Sequence, residues 1–415
     1  MVIQTDRLIS IFSRRKISPH WMRHRFVNRP LPLLLSFQKM PSENTLNINR
    51  RHFFNYATAA TSLAATTSLF SQEATQADSI HWHNVRDWGV EGKGWKSDET
   101  ENYFDRLPLR AKGVVRDAVW NLSRHSAGML TRFRTDATEI WLDYEVTSSN
   151  LAMPHMPATG VSGIDLYATA PNGNLQWLAV SRPTAKKTRV KLVNALTAEN
   201  REFTAYLPLY NGCQHLSFGV PSGATFEPIA PRTDKPILFY GTSITHGACA
   251  SRPGMPHPAI LGRRLGRPVI NLGFSGNGKM EPEVGNFLCE LDPLIYVIDC
   301  LPNMVGTEVS ERAENLVFQI RKSRPTTPIL LVEDRTYAHA PFHSSLQQRH
   351  QESRRALKNA YQSLVSKGLK QLGYLEGEKL LGSDRDDTTD GSHPNDLGFY
   401  RQANALEPKL RELGA

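Results

Sequence analysis

Cysteine is scarce and scattered. The 415 residues contain 4 cysteines, Cys213, Cys249, Cys289 and Cys300, with no C-x-x-C pair and no Cys/His cluster at zinc-finger spacing. That excludes a disulfide-framed scaffold and gives no reason to expect a structural metal site. Charge is modest: 21% of residues are charged, against 40% hydrophobic and 9% aromatic. A disordered chain would be less apolar, so sizeable folded cores are expected. A bilayer-length apolar run is also missing from the N-terminal region. The uncharged stretch 56–70, mostly Ala, Thr, Ser and Leu, falls short of the roughly 20 apolar residues that span a membrane.

The net charge of +9 would suit a nucleic-acid partner, but its distribution argues against one. Residues 1–77 hold ten Lys and Arg against three acids, a charge of +7, which leaves +2 for the rest. Within that segment Arg50-Arg51 precedes Phe53-Phe54, the weakly apolar stretch follows, and small residues stand at Ala74, Thr75 and Ala77. Basic, apolar and small in that order is the layout of a twin-arginine export signal, cut near Ala77. The mature chain would then be periplasmic or extracellular, without a stable membrane anchor. Met40 lies where such a signal would start, which makes residues 1–39 an upstream extension.

Two patterns follow the signal. Short extended runs at 139–146, 163–167, 175–180, 203–210 and 215–220, separated by Gly, Pro and Asn, predict an antiparallel β-sandwich over 78–231. From 232 to 415 the pattern changes. Apolar runs at 237–240, 268–272, 294–299 and 329–332 alternate with helix-like stretches at 258–265, 281–291, 309–322, 346–367 and 396–413. Strands apolar on both faces predict a parallel α/β sheet, in which functional residues gather where strands run into loops at their carboxyl ends.

Four motifs fall at such points. Gly241-Thr242-Ser243-Ile244-Thr245 presents a serine just past a strand, beside backbone N–H groups able to stabilise an oxyanion. Gly273-Phe274-Ser275-Gly276-Asn277-Gly278-Lys279 brings small residues to a strand end. It also fits most of a phosphate-binding loop, and 294–299 ends in Asp299 as a magnesium-supporting strand would. Met280 stands where that loop needs a magnesium-binding hydroxyl, which counts against a nucleotide hydrolase. Asp299-Cys300-Leu301-Pro302-Asn303 offers an uncharged amide donor. Asp390-Gly391-Ser392-His393 sets a carboxylate three residues from an imidazole, the spacing that lets an acid orient a base.

In the order Ser, Gly, Asn, Asp, His, these blocks resemble the SGNH or GDSL-type serine esterases, with Ser243, Gly276, Asn303 and His393 at the namesake positions. Gly-Thr-Ser replaces the usual Gly-Asp-Ser, and Leu-Pro-Asn-Met departs from the usual third block. Gly163-Ile164-Asp165-Leu166-Tyr167 resembles the GxDLY signature of a β-sandwich found before one branch of these esterases. The resemblance implies a three-layer α/β/α flavodoxin-like SGNH hydrolase domain behind a jelly-roll-like sandwich. It also implies a Ser243–His393–Asp390 triad, an oxyanion hole from Ser243, Gly276 and Asn303, and no cofactor.

The expected substrate is an ester, with short acyl groups on extracellular polysaccharide ahead of a lysophospholipase or lipase-like activity on long chains. A glycan-binding protein without catalysis remains the non-enzymatic alternative. His246 and Arg335, each soon after a strand, are candidate substrate contacts or plain structural groups. Cys249 and Cys300 read as packed thiols, and His81-Trp82-His83 as a surface pair of histidines lacking a third ligand.

Overall fold

The computed structural model describes residues 79–415, all within one compact unit. Arg50-Arg51, the stretch 56–70, the cut near Ala77 and Met40 lie outside the described residues. Among the described residues no helix is long and apolar enough to cross a membrane.

The first half is built from β1 Ile80–Asn84, β2 Leu130–Thr135, β3 Ile140–Val146, β4 Asp165–Thr169, β5 Leu175–Val180, β6 Lys187–Val193, β7 Arg201–Tyr206, β8 Cys213–Pro221 and β9 Phe226–Ile229. They pair into two antiparallel sheets, β1-β8-β3-β6 and β5-β4-β7-β2-β9. Alternate residues turn inward: Ile140, Leu142 and Tyr144 of one sheet share a core with Phe133, Leu166 and Phe203 of the other. This is a β-sandwich.

Four of these strands, β1, β2, β6 and β9, have no counterpart among the predicted runs. β6 is an edge strand with Lys187, Arg189 and Lys191 along it, and β9 is an edge strand containing Pro228, both features that keep edges from pairing further. The predicted run 203–210 ends early, at Tyr206, because Pro208 has no N–H for a ladder. Leu209 and Tyr210 bond instead to the carbonyls of Gly160 and Val161. The run predicted at 163–167 begins at Asp165, since the Ile164 N–H goes to the Ser181 hydroxyl.

The second half has five parallel strands, β10 Ile237–Gly241, β11 Val269–Gly273, β12 Ile295–Asp299, β13 Ile329–Val332 and β14 Leu372–Leu375, in the order β11-β10-β12-β13-β14. β14, short, half-buried and containing Gly373, is the strand without a clear apolar run. The helices in chain order are α1 Asp117–Ser123, α2 Ala158–Val161, α3 Ser243–His246, α4 His257–Leu265, α5 Pro282–Glu290, α6 Gly306–Ser323, α7 Ser344–Ser366 and α8 Asp396–Glu412. Leu238, Tyr240 and Ile298 face α5, α6 and α7, whereas Ile237, Phe239 and Val297 face α4 and α8. Period-two alternation between two helical layers makes the three-layer α/β/α fold. Its strand order is the flavodoxin-like one, whose switch point lies between β10 and β12.

Residues 95–120, inside the segment expected to be wholly sandwich, pack against the α/β layer. Trp95, Leu107, Val115, Val119 and Trp120 complete the core around Tyr240, Leu272 and Phe274. A division at 231/232 cuts the chain without cutting the core.

His257 is fully buried between Phe239 and Phe399, and neither of its ring nitrogens has a hydrogen-bond partner. Burial, then the Arg335 charge, holds its imidazole well below the usual range. The folded protein therefore refuses a proton that the unfolded chain accepts below about pH 6.5, and stability falls as pH drops through that value. His257→Phe is expected to recover about 1.4 kcal/mol at pH 5.5 relative to pH 7.5 in chemical denaturation. An unchanged pH dependence would assign the acid sensitivity elsewhere.

Candidate functional site

The site forms at the carboxyl ends of β10 and β12. The chain leaves β10 at Gly241 and turns at once into α3, with Thr242 capping the turn by accepting the Ile244 N–H. Ser243 is the first helical residue, a position whose N–H has no partner within the helix. Its Oγ lies 2.8 Å from His393 Nε2, and His393 Nδ1 lies 2.7 Å from Asp390 Oδ2. The other oxygen, Asp390 Oδ1, accepts the backbone N–H groups of Ser392 at 3.0 Å and His393 at 2.8 Å. Burial raises the Asp390 carboxyl, but these donors together with the imidazole outweigh it and leave the group below its usual range, hence ionised. Partner geometry puts the ring proton on Nδ1, so that Nε2 faces the serine as an acceptor.

The Gly276 loop turns back on itself. The Asn277 and Gly278 N–H groups donate to the Phe274 carbonyl at 2.8 and 3.0 Å, and Gly278 sits so close to the β10 end that a Cβ there would meet the Gly241 oxygen at 2.0 Å. Gly276 has φ +70 with open space where a Cβ would be, so backbone angle and not room calls for glycine there. Asn303 Oδ1 accepts the Gly278 N–H at 3.2 Å, which orients its amide. Among the described residues, Ser243 N–H, Gly276 N–H and Asn303 Nδ2 donate to no protein acceptor. Such an array can deprotonate a hydroxyl and offer donors to a negative oxygen.

A phosphate-binding role does not survive this geometry. Two of the loop's N–H groups are directed at Phe274, Lys279 Nζ faces Glu308 Oε1 at 3.6 Å, and both Asp299 oxygens lie 2.8–2.9 Å from Arg335. A carboxylate so paired and fully buried is not available to magnesium.

The two further candidates, His246 and Arg335, are both enclosed. His246 is 0% exposed, with Nε2 2.7 Å from the Leu209 carbonyl and its ring stacked on Tyr210. Arg335, also 0% exposed, is the ion-pair partner of Asp299. Their partners in the protein, the Leu209 carbonyl and Asp299, lie at the switch point. Cys300 is buried beneath it, and His81 stacks on His83 at the sandwich surface.

Sequence reasoning missed how much of the site is held by the sandwich half. Arg106 is buried, and its guanidinium donates to the carbonyls of Leu122 and His125 on one side and of Asn271 and Gly273, at the end of β11, on the other. Asp165 of the GxDLY motif, 0% exposed, accepts Arg252 at 3.0 Å and the Gly254 N–H at 2.8 Å, clamping the loop after α3. Tyr210 donates its hydroxyl to the Ser243 carbonyl at 3.2 Å. His155, on an exposed sandwich loop, brings its ring within 6.1 Å of His393. A cavity of 160 Å³ between the halves, lined by Leu130, Leu175 and Val269 together with Glu202, Arg232 and Arg263, opens at the amino end of β11, away from Ser243.

Comparison with known proteins agrees with this architecture. Residues 234–411 match the GDSL-like lipase/acylhydrolase family, and residues 80–226 match the family described as the N-terminus of SGNH-hydrolase-type esterases. A protein from Bacteroides ovatus described as a GDSL-like lipase is 32% identical, with a TM-score of 0.77 over 80% of this chain and 98% of its own. A salicylyl-acyltransferase from a tetracycline biosynthetic pathway shares the fold at 19% identity and a TM-score of 0.64, covering 81% of this chain and 98% of its own. A family two carbohydrate esterase from Cellvibrio japonicus does so at 13% and 0.52, again over 81% and 98%. No curated protein matches the chain. Fold and matched segments define an ester hydrolase of SGNH type. The chain belongs to the GDSL-like lipase/acylhydrolase family.

Arg106→Met is expected to remove the guanidinium donor from the carbonyls of Leu122, His125, Asn271 and Gly273 and to destabilise the fold by about 1–3 kcal/mol, the cost of leaving buried polar groups unpaired. Chemical denaturation reads this directly. An unchanged midpoint would mean that the halves hold together without the guanidinium.

Proposed function

We propose that the protein is a serine esterase that removes short ester-linked acyl groups, O-acetyl foremost, from carbohydrate outside the cytoplasm. The observation that carries the catalytic part is the continuous line from Ser243 Oγ through His393 to Asp390, at 2.8 and 2.7 Å. His393 takes the Ser243 proton as the hydroxyl attacks the ester carbonyl. The developing oxyanion is met by Ser243 N–H, Gly276 N–H and the Asn303 amide, donors already oriented before substrate arrives. The imidazolium, balanced by Asp390, returns its proton to the departing alcohol. Water then repeats the sequence on the acyl-enzyme and releases the acid. The step needs no cofactor.

Support for a carbohydrate ester comes from the site's surroundings. Side chains of His393 and Asp390 remain 25% and 39% exposed, open to an alcohol that is part of a larger polymer. The exposed His155 ring stands 6.1 Å from that of His393, a polar group that suits a hydroxylated substrate better than a long acyl chain. We assign residues 78–231 as the accessory β-sandwich and 232–415 as the hydrolase domain, a division supported by the matched segments 80–226 and 234–411. Residues 1–77 we assign to the twin-arginine signal with its upstream extension.

With p-nitrophenyl acetate, Ser243→Ala and His393→Ala are each expected to lower kcat/KM by roughly 10³-fold or more. Near-wild-type turnover in Ser243→Ala would remove the nucleophile assignment. Run from acetyl to palmitoyl esters and on acetylated xylan, wild type is expected to favour acetyl. Preference for palmitoyl would move the reading to a lipase or lysophospholipase. N-terminal sequencing of exported protein is expected to begin near residue 78, and a mature chain that retains Arg50-Arg51 would reject the signal.

A further inference from the structure

One group at the site has no part in the chemistry above. Cys249 follows α3 in a left-handed turn, φ 68, a conformation that costs an L-residue about 1 kcal/mol. The turn is fixed on several sides. Gly247 and Ala248 donate to the Ser243 carbonyl, Ser251 N–H donates to Asp396 at the start of α8, and Thr159 of the sandwich holds the Ser251 carbonyl. Asp396 follows His393 closely in sequence, so the contact with Ser251 ties the thiol loop to the loop that carries the base and its orienter. The result is that a sulfur of Cys249, a ring nitrogen of His393 and a carboxylate oxygen of Asp390 all lie within 4.8 Å of one another.

We propose that Cys249, His393 and Asp390 form a binding site for a borderline-soft divalent cation, Zn(II) by its donor set, and that its occupancy switches the esterase off. Sulfur, imidazole and carboxylate are the three ligand types that zinc takes tetrahedrally, at about 2.3, 2.0–2.1 and 2.0–2.2 Å. Those bond lengths put ligand atoms roughly 3.3–3.7 Å apart. The His393 nitrogen and Asp390 oxygen that meet at 2.7 Å must part slightly, and the sulfur, within 4.8 Å of both, must close in by up to about an ångström, within reach of rotations about the Asp390 and His393 side chains, which are partly open to solvent. Water completes the tetrahedron as the fourth ligand.

The alternative use of such a thiol, as an oxidisable or nucleophilic group, is disfavoured here. Burial, with Asp390 adding to it, pushes the Cys249 thiol up to about 11 despite a hydrogen bond with Thr389, so little thiolate is present without a cation. A cation reverses that balance. It displaces the thiol proton to solvent and gives two negative ligands a shared counter-charge.

Inhibition follows from the two nitrogens of one ring. In the resting site Nδ1–H donates to Asp390 and Nε2 accepts from Ser243. If the cation takes Nδ1, the ring proton must reside on Nε2, which then donates and cannot accept the serine proton. If it takes Nε2, the accepting lone pair is occupied outright. Either way one proton, from sulfur, is released per cation bound, and Ser243 loses its base. Inhibition rests on His393 being that base, as assigned above; occupancy does not.

The test uses the whole protein, with Co(II) as a spectroscopic stand-in and Zn(II) as inhibitor. Co(II) is expected to give a thiolate-to-metal charge-transfer band in wild type and in Ser243→Ala, and none in Cys249→Ala. Zinc is expected to abolish hydrolysis of p-nitrophenyl acetate by wild type, reversibly on adding EDTA. Cys249→Ala should keep metal-free activity within about twofold while its zinc IC50 rises at least tenfold, the scale on which losing a ligand weakens a metal site. Absence of the band in wild type, or equal zinc IC50 in wild type and Cys249→Ala, overturns the site. A band that forms while wild-type hydrolysis continues overturns the switch and separately counts against His393 as base.

Discussion

A guanidinium buried between the two halves of the chain sets the terms for everything at the site. A charge taken out of water is tolerable only while its donors are filled. Arg106 fills them with carbonyls from both halves: Leu122 and His125 on its own side, Asn271 and Gly273 at the end of β11. Separating the halves would therefore break its bonds to Asn271 and Gly273. The loop that presents Gly276 begins one residue beyond Gly273, so its starting direction is set by a residue more than 160 positions earlier. Asp165 does the same for the loop after α3, and the Leu209 carbonyl for His246. All three polar ties lie at the carboxyl edge of the parallel sheet, where displacement of a few tenths of an ångström would be felt by the oxyanion donors. At the amino end of β11 the halves meet around a cavity lined by apolar and charged side chains together, Leu130 and Val269 beside Arg232 and Arg263.

This arrangement explains why the fold was largely legible in the sequence and the division of labour was not. The parallel strands β10 to β13 are buried on both faces, so their residues form continuous apolar runs that any reading finds. β6 and β9 are edges, shaped by charge and proline to resist further pairing, and carry no such run. Residues 95–120 hide for another reason. Their apolar side chains pack against a sheet that begins more than a hundred residues later, and no local periodicity encodes a partner at that distance.

The site divides in the same way. Ser243, Asp390 and His393 stand out because their chemistry constrains spacing: a serine just past a strand, an acid three residues before a base. The structure brings all three together, and Gly276 and Asn303 join them through Gly278. His246 and Arg335 occupy comparable positions after strands, yet position does not tell a side chain which way to face. Both turn inward, to a carbonyl of the sandwich half, Leu209, and to the carboxylate at the end of β12, Asp299. Cys249 is the opposite case, a residue with no motif whose importance comes from a loop contact between Ser251 and Asp396.

The carboxylate of Asp390 links these features. To stabilise an imidazolium in the proposed triad it must stay ionised, and to do so at a partly exposed position it relies on backbone donors in its own turn rather than on a buried cation such as the one Asp299 has. A fixed positive partner would lower its carboxyl further but would also offset the field that His393 depends on. The site therefore keeps an uncompensated anion beside an imidazole and, one loop away, a thiol. Attraction for a cation is a consequence of that choice, and it weakens only as far as the help given to the base weakens with it.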